Sequence, residues 1–304
     1  MSEGPTYSVV VPTYDSAGRL DDLVRRIEEA MHDRSFELIL VNDGSRDATW
    51  SDLVRIHDQR GHVVVDLQQN AGQHLATLCG LRLARGDVMI TIDDDLQTPP
   101  EEIVALIEAA ERKGADLVYG VYPEKRHSAV RNLGSRMLTG LLHRYASAPP
   151  RGSSFRLVRR GLVDRLADNR HAFVYLDELF GWYARRTVFV PVEHRERAEG
   201  RSGYGLWSLV KLTHAILVNY TILPLRIITF IGLLSSIASF ITAIVFIVRK
   251  ITVGAEMGFT SIIVSIFFST GLILLSLGTI GEYLSRIFLM QSDKPAYRIN
   301  EVRA

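Results

Sequence analysis

The sequence predicts an α/β protein: a mainly parallel sheet flanked by helices, followed by interfacial amphipathic helices and a two-helix membrane hairpin. Three observations carry this. Short apolar, β-rich runs alternate with amphipathic segments, acidic or polar turns follow several of those runs, and two long charge-free stretches lie near the C-terminus. Such alternation is the pattern of a parallel sheet covered on both faces.

The predicted strands are 8–11, 37–41, 63–67, 88–92 and 117–121. Between them, apolar residues recur at helical spacing over 20–31, 48–57, 75–84 and 100–113. Ligands of such sheets bind beyond the carboxyl ends of the strands, so the chemistry belongs just after each run.

The chain has 304 residues, is 47% hydrophobic and carries a formal net charge of +1, which argues against nucleic acid as a partner. The charge is uneven: net −8 over residues 1–100, +6 over 101–211 and +3 over 212–304. The acidic front suits a metal and the arginine-rich middle suits phosphates or a membrane surface. Cys79 is the single cysteine, so no intrachain disulfide forms, as suits a reducing compartment. The N-terminus carries no signal-peptide pattern.

Ile227 to Val248 and Phe259 to Gly281 are stretches of 22 and 23 residues without a charge. At ~1.5 Å of rise per residue, each is long enough for a bilayer core of ~30 Å. The connection, Arg249 to Gly258, is short, so the spans form a hairpin with both ends on one side. Lys211, Arg226, Arg286, Lys294, Arg298 and Arg303 lie on that side, against Arg249 and Lys250 in the connection, a modest bias that favours the termini and the soluble domain in the cytoplasm. Residues 206–223 read as interfacial helices broken by Pro224, or as helices packed on the soluble domain. The predicted organisation is a cytoplasmic α/β domain over 1–204, interfacial helices over 205–226, two spans over 227–281 and a cytoplasmic tail over 282–304.

Pro12-Thr13-Tyr14-Asp15 follows the first strand, Asn42-Asp43-Gly44-Ser45 the second, and Asp93-Asp94-Asp95-Leu96-Gln97 the fourth. Three consecutive carboxylates repel one another unless a cation sits among them. A divalent ion bridging to a diphosphate is the natural occupant. The glycine fingerprints of dinucleotide and P-loop enzymes are absent, as are zinc motifs.

These turns, with Asn70-Ala71-Gly72-Gln73-His74, resemble the successive motifs of family-2 glycosyltransferases with the GT-A fold. The run Asp93-Asp94-Asp95-Leu96-Gln97-Thr98-Pro99-Pro100-Glu101-Glu102 resembles the branch that loads sugars onto polyprenyl phosphates. Ser154-Phe155-Arg156, Val190–Arg195, Gly200–Tyr204, Pro224-Leu225-Arg226 and Gly281-Glu282-Tyr283 agree with it, in the order found in bacterial undecaprenyl-phosphate sugar transferases.

The resemblance implies a UDP-linked nucleotide sugar as donor, undecaprenyl phosphate as acceptor, Mg²⁺ or Mn²⁺ as cofactor and a homo-oligomer, a tetramer by analogy. It implies that Pro12, Tyr14, Asp15, Asp43 and Asp93 frame the donor, with Arg201 and Ser202 closing over it. Asp93, Asp95 and Gln97 take the metal, and Asp94, Asp95 and Arg156 form the catalytic group. Arg131, Arg151, Arg156 and Arg195 face the acceptor phosphate. Tyr14 either contacts the base or simply packs. The Asn70–His74 segment either faces a phosphate or caps a helix. Arg197 is either a further diphosphate contact or a solvated charge, and Arg156 either orients the phosphate or pairs with a core carboxylate.

One departure matters. Relatives carry an aspartate just ahead of the Ser-Phe-Arg stretch, often proposed as the base, where this chain has Pro149-Pro150-Arg151-Gly152. A phosphate monoester is already largely a dianion at neutral pH and needs no base. This favours direct, inverting displacement by a polyprenyl phosphate. The competing readings are a processive polysaccharide synthase, whose Gln-x-x-Arg-Trp element is missing, and a membrane scaffold or sugar-sensing subunit with a decayed site.

Overall fold

The computed structural model describes residues 4–122, 153–167, 175–193, 223–253, 258–291 and 295–304. The chain divides into two units, Met1–Gly203 with Lys294–Ala304, and Tyr204–Asp293.

The first unit is built on an eight-stranded sheet. The strands are β1 (Tyr7–Thr13), β2 (Phe36–Asn42), β3 (Val63–Leu67), β4 (Val88–Thr91), β5 (Leu117–Val121), β6 (Arg156–Arg159), β7 (Thr187–Pro191) and β8 (Ile299–Arg303). Their spatial order is β7-β5-β6-β4-β1-β2-β3-β8. The pairs β1/β2, β1/β4, β2/β3 and β5/β7 are parallel, whereas β6 runs antiparallel to both β4 and β5, and β8 antiparallel to β3. The five strands predicted from hydrophobic runs are all present.

The reason those runs form strands is burial on both faces. Val9, Val10, Val11, Leu38, Ile39, Leu40 and Val41 are fully enclosed, and β-branched side chains suit such a surface. The connecting helices are α1 (Leu20–Ala30), α2 (Thr49–Arg60), α3 (Gln73–Leu83) and α4 (Ile103–Lys113), the last entered through a 3₁₀ turn at Pro100–Glu102. Helix α1 buries Leu20, Leu23, Val24 and Ile27, one face at helical spacing. Helix α3 buries every residue from Leu75 to Leu81 and packs on β1 and β2, which fixes its N-terminal end at the mouth of the sheet. Two short helices, α5 (Arg160–Ala167) and α6 (Leu176–Tyr183), follow β6.

β6, β7 and β8 were not among the predicted strands. β8 is the larger surprise. Within the segment 282–304 read as a cytoplasmic tail, Ile299–Arg303 covers the free edge of β3, and Lys294–Ala304 belongs to the first unit. Tyr297 just ahead of β8 meets Arg82, and Asn300 Nδ2 donates to Asp66 Oδ2 at 2.8 Å.

The second unit contains α7 (Leu223–Val253) and α8 (Phe259–Gln291), which pack against each other. Arg249 and Lys250, placed by the sequence in a loop, lie within α7. Pro224 stands in the first turn of α7, where its missing N–H costs nothing. Many large apolar side chains on both helices are exposed, among them Phe230, Leu233, Phe240, Phe268, Leu274 and Leu284. Among the described residues no helix is long and apolar enough to cross a membrane. The expected transmembrane hairpin is therefore not found among the described residues. The interfacial segment 205–222 lies outside the described residues.

Candidate active site

The turns after β1, β2 and β4 and the start of α3 converge at one end of the sheet. Pro12 is buried within β1, opposite Val41. Tyr14, 42% exposed, follows the strand, and its amide donates to Asp94 Oδ2 at 3.2 Å. Asp15 adopts a positive φ of 49°. Its amide donates to Ser45 Oγ at 3.0 Å, and its Oδ1 accepts from the Arg46 amide at 2.9 Å. The β1 and β2 turns are thus stitched together.

Asp43 plays a different part. Its two carboxylate oxygens accept from the Ala71 and Gly72 amides at 2.7 and 2.9 Å, holding the turn that opens α3. Burial raises its pKa, and those two amide bonds work against the rise. Gly44 lets this turn approach: its φ is +63°, and an added Cβ would stand 2.5 Å from the Asn70 nitrogen.

The acidic run sits at the centre. Asp93 accepts from Gln73 Nε2 at Oδ1 and from Ser154 Oγ at Oδ2, both at 2.5 Å. The residue keeps some surface exposed, but its carboxyl is enclosed. Burial pushes its pKa up to about 6, and the neighbouring Asp95 and Asp94 charges add to that rise, while the Ser154 bond and Arg156 oppose it. Asp94 also has a raised pKa, again chiefly from burial, and its Oδ2 takes a short bond from the Ser16 hydroxyl. Asp95 Oδ1 accepts from the Gln97 amide at 3.0 Å across a turn in which Leu96 has φ +57°.

Among the described residues no group of three or more His, Cys, Asp or Glu side chains is arranged to hold a metal. Of the predicted set, Asp93 and Asp95 stand in the acidic turn, with Gln97 two places on. Asp93 is committed to Gln73 and Ser154. What the site offers is hard oxygen donors, two of them, Asp93 and Asp94, with pKa values raised chiefly by burial, a donor set that suits Mg²⁺ or Mn²⁺.

Arg156 requires a correction. It lies on β6, only 2% exposed, and forms a short ion pair with Asp177 Oδ1. Its Nε donates to Thr91 Oγ1 at 3.2 Å and its guanidinium lies over the Phe180 ring at 5.3 Å. Tyr119 Oη donates to the same Asp177 oxygen at 3.0 Å. A guanidinium enclosed and neutralised in this way is not presented to an incoming phosphate. The core-pairing alternative is the one the geometry favours. Beside this cluster His74 stands edge-on to Tyr175, ring centroids 5.0 Å apart. Burial, assisted by the Arg156 charge, pushes its pKa down to about 4, and its Nδ1 has no hydrogen-bond partner among the described residues.

Arg131, Arg151, Arg195, Arg197, Arg201 and Ser202 lie outside the described residues, as does the Pro149–Gly152 stretch. The structure adds Gln73, Thr91, Ser154 and Asp177 to the site's surroundings. Gln73 and Ser154 belong to motifs visible in the sequence; Asp177, beside Glu178 in the otherwise apolar stretch 174–180, carried no such signal.

Comparison with known proteins agrees with this geometry. Residues 8–167 match the family described as Glycosyl transferase family 2. The undecaprenyl-phosphate 4-deoxy-4-formamido-L-arabinose transferase of Pseudomonas aeruginosa strain LESB58 is 34% identical, over 97% of this chain and 89% of that protein. The protein of the same name from Edwardsiella ictaluri is 33% identical, over 98% and 94%. In fold the chain is similar to glucosyl-3-phosphoglycerate synthase from Mycobacterium tuberculosis in complex with uridine diphosphate. There the TM-score is 0.50 and the identity 23%, over 71% of this chain and 78% of that one. With the acidic turn at the sheet mouth, the GT-A-like sheet and these matches together, the chain belongs to glycosyl transferase family 2 and is a glycosyltransferase.

Proposed function

We propose that the protein transfers a sugar from a UDP-linked donor to a polyprenyl phosphate, undecaprenyl phosphate, with inversion, at the cytoplasmic face of the membrane. The observation that carries this reading is similarity at 33–34% identity along nearly the whole chain, C-terminal helices included, to transferases named for undecaprenyl phosphate. The sugar itself is not assigned from those names.

The donor site is the mouth formed by Tyr14, Asp15, the Asp43-held turn and Asp93–Asp95. Asp95, with Asp93 and Gln97 beside it, would hold Mg²⁺ or Mn²⁺ in company with the donor diphosphate. The ion supplies Lewis-acid stabilisation of the charge that develops on the leaving nucleoside diphosphate. Asp94 braces the β1 turn that carries Tyr14 and keeps the aromatic ring at the entrance. With Arg156 buried, the acceptor phosphate falls to Arg131, Arg151 and Arg195, while Arg201 and Ser202 close over the donor. The nucleophile is the phosphate oxygen, already deprotonated, so the substitution of Pro149-Pro150-Arg151 for the familial aspartate removes nothing the reaction needs.

The exposed apolar side chains of α7 and α8 support insertion of both helices as a hairpin, with the termini and catalytic domain cytoplasmic. A homo-oligomer rests on the family resemblance alone.

The test offers a panel of nucleotide sugars to purified protein in lipid, with undecaprenyl phosphate or the matching free alcohol as acceptor. Product is expected only with the phosphate. Efficient glycosylation of the alcohol would refute the acceptor assignment. A cysteine at position 254 is expected to label from outside intact cells, and labelling of position 2 from outside would reverse the topology.

A further inference from the structure

The β4–β6 ladder is antiparallel, pairing Val88 with Arg159, Met89 with Val158, Ile90 with Leu157 and Thr91 with Arg156. Each step outward along β4 is matched by one step back along β6. The paired rungs end at Thr91–Arg156, and just past them Asp93 and Ser154 meet through a side-chain hydrogen bond.

The hydrogen bonds follow this register. Asp177 accepts from Arg156. Arg156 Nε donates to Thr91 Oγ1 at 3.2 Å, and Thr91 Oγ1 donates to the Ser154 carbonyl at 2.5 Å. Ser154 Oγ donates to Asp93 Oδ2 at 2.5 Å. A continuous chain thus runs from a buried ion pair to the first carboxylate of the acidic turn. It matters because β4 ends at Thr91, so beyond it Asp93 is no longer fixed by the sheet itself.

We propose that Ser154 and Thr91 are positioning residues that hold Asp93 for a nucleoside diphosphate and its divalent cation, with Arg156–Asp177 as their anchor. Arg156 on this account serves the donor side through two intermediaries and never touches the acceptor. Ser154 is the critical link, since its hydroxyl fixes one Asp93 oxygen while Gln73 fixes the other. A carboxylate held at one oxygen only can rotate, and a misplaced ligand weakens binding without disturbing the core. The inference rests on the donor reading given above.

The experiment uses the full chain purified in lipid. Binding of UDP, and of GDP in parallel, is measured by calorimetry with Mn²⁺ present, alongside kcat and the KM for undecaprenyl phosphate. Ser154→Ala is expected to weaken diphosphate binding about tenfold, the loss of one charge-assisted hydrogen bond. It should lower kcat as well and leave the lipid KM and the melting temperature unchanged. Ser154→Thr, which keeps the hydroxyl, should restore most of the binding, and Thr91→Val should weaken it less than Ser154→Ala. Undiminished binding in Ser154→Ala would overturn the inference, as would a threonine variant no better than alanine. A rise in lipid KM with unchanged diphosphate affinity would return this face to the acceptor and also overturn it. If the wild-type protein binds neither diphosphate and transfers no sugar, the donor reading itself fails, and the inference falls with it.

Discussion

Two clusters of charge lie side by side at the β4–β6 end of the sheet, and they are opposite in kind. Around Arg156 a cation and a carboxylate neutralise each other in a closed, aromatic-walled space, with Tyr119, Thr91 and Phe180 completing the contacts. At Asp93–Asp95 carboxylates are crowded together, and those of Asp93 and Asp94 are held by amide and hydroxyl donors. The first cluster has spent its charge internally and can offer rigidity. The second crowds carboxylates into a site where burial, more than their mutual repulsion, raises the pKa values of Asp93 and Asp94, and can offer binding. Charged side chains equally prominent in a sequence thus divide into structure and chemistry according to where the fold places them.

The comparison breaks most sharply if the closed cluster is opened. Asp177→Ala strands the Arg156 charge in a space that admits almost no water. It should cost about 3–5 kcal/mol of folding stability, the penalty for removing one partner of a buried pair. Replacing both together by apolar residues of similar volume should cost far less. Urea denaturation of the single and double variants measures the difference, and equal losses would show that the pair is not closed.

The open cluster should respond in activity and not in stability. Asp95→Asn is expected to remove about 3 kcal/mol of transition-state stabilisation, on the scale of losing one oxyanion donor, with little change in melting temperature. Chelation of divalent cations should abolish turnover in the wild-type protein. Full activity in excess chelator would mean that the charge is balanced by protein groups after all.

The sequence made the open cluster legible and hid the closed one, for a physical reason. Short continuous apolar runs, bounded by turns, report both the strands and the turns at their ends, so β1 to β5 and the Asp15, Asp43 and Asp93–Asp95 turns could be placed from local pattern alone. The Arg156–Asp177 pair joins residues on different elements, and its partner assignment depends on β6 running antiparallel between β4 and β5. No local periodicity encodes that. β8 was hidden likewise. Ile299–Arg303 is a short, polar edge strand whose alternation is faint, and it pairs with β3 across more than two hundred residues of chain. Asp43 was legible as a residue of the site but not in its role, because the amides it accepts come from the α3 turn.

His74 lies at the margin between the two clusters and reads out the closed one through pH. Its ordinary pKa of 6.5 is pushed down to about 4 in the fold by burial and by Arg156. Below pH 6.5 the unfolded chain takes up a proton there that the folded protein refuses. The contribution to stability is therefore complete above pH 6.5 and is lost as pH falls toward 4. The residue keeps some surface exposed although its ring nitrogen Nδ1 is buried, so the expected loss at pH 5 is only about 1–2 kcal/mol. Denaturation midpoints at pH 7 and pH 5 should show it in the wild-type protein and not in His74→Gln. A variant that keeps the same acid sensitivity would place the titrating group elsewhere.

The smallest effect belongs to a cation that is neither closed nor open. Arg82 on α3 reaches Tyr297, with Nη1 3.3 Å from the phenol oxygen and the guanidinium carbon 5.9 Å from the ring centroid. Tyr297 is only partly buried, so water competes for the arginine and the aromatic face gains little from desolvation. Tyr297→Leu keeps much of the apolar contact and removes the polar interactions with Arg82 and with the Cys79 thiol. It should cost about 0.5–1 kcal/mol, well under the loss at Asp177. The same change should loosen β8, since Tyr297 stands just ahead of Arg298, whose carbonyl accepts from the Gln68 amide at 2.9 Å. Amide exchange is therefore expected to rise at Gln68 and to stay unchanged across β1 and β4. Protection unaltered at that amide would mean that the β3–β8 pairing holds without the aromatic anchor. A loss as large as that at Asp177 would mean that exposure does not grade the worth of a cation in this fold.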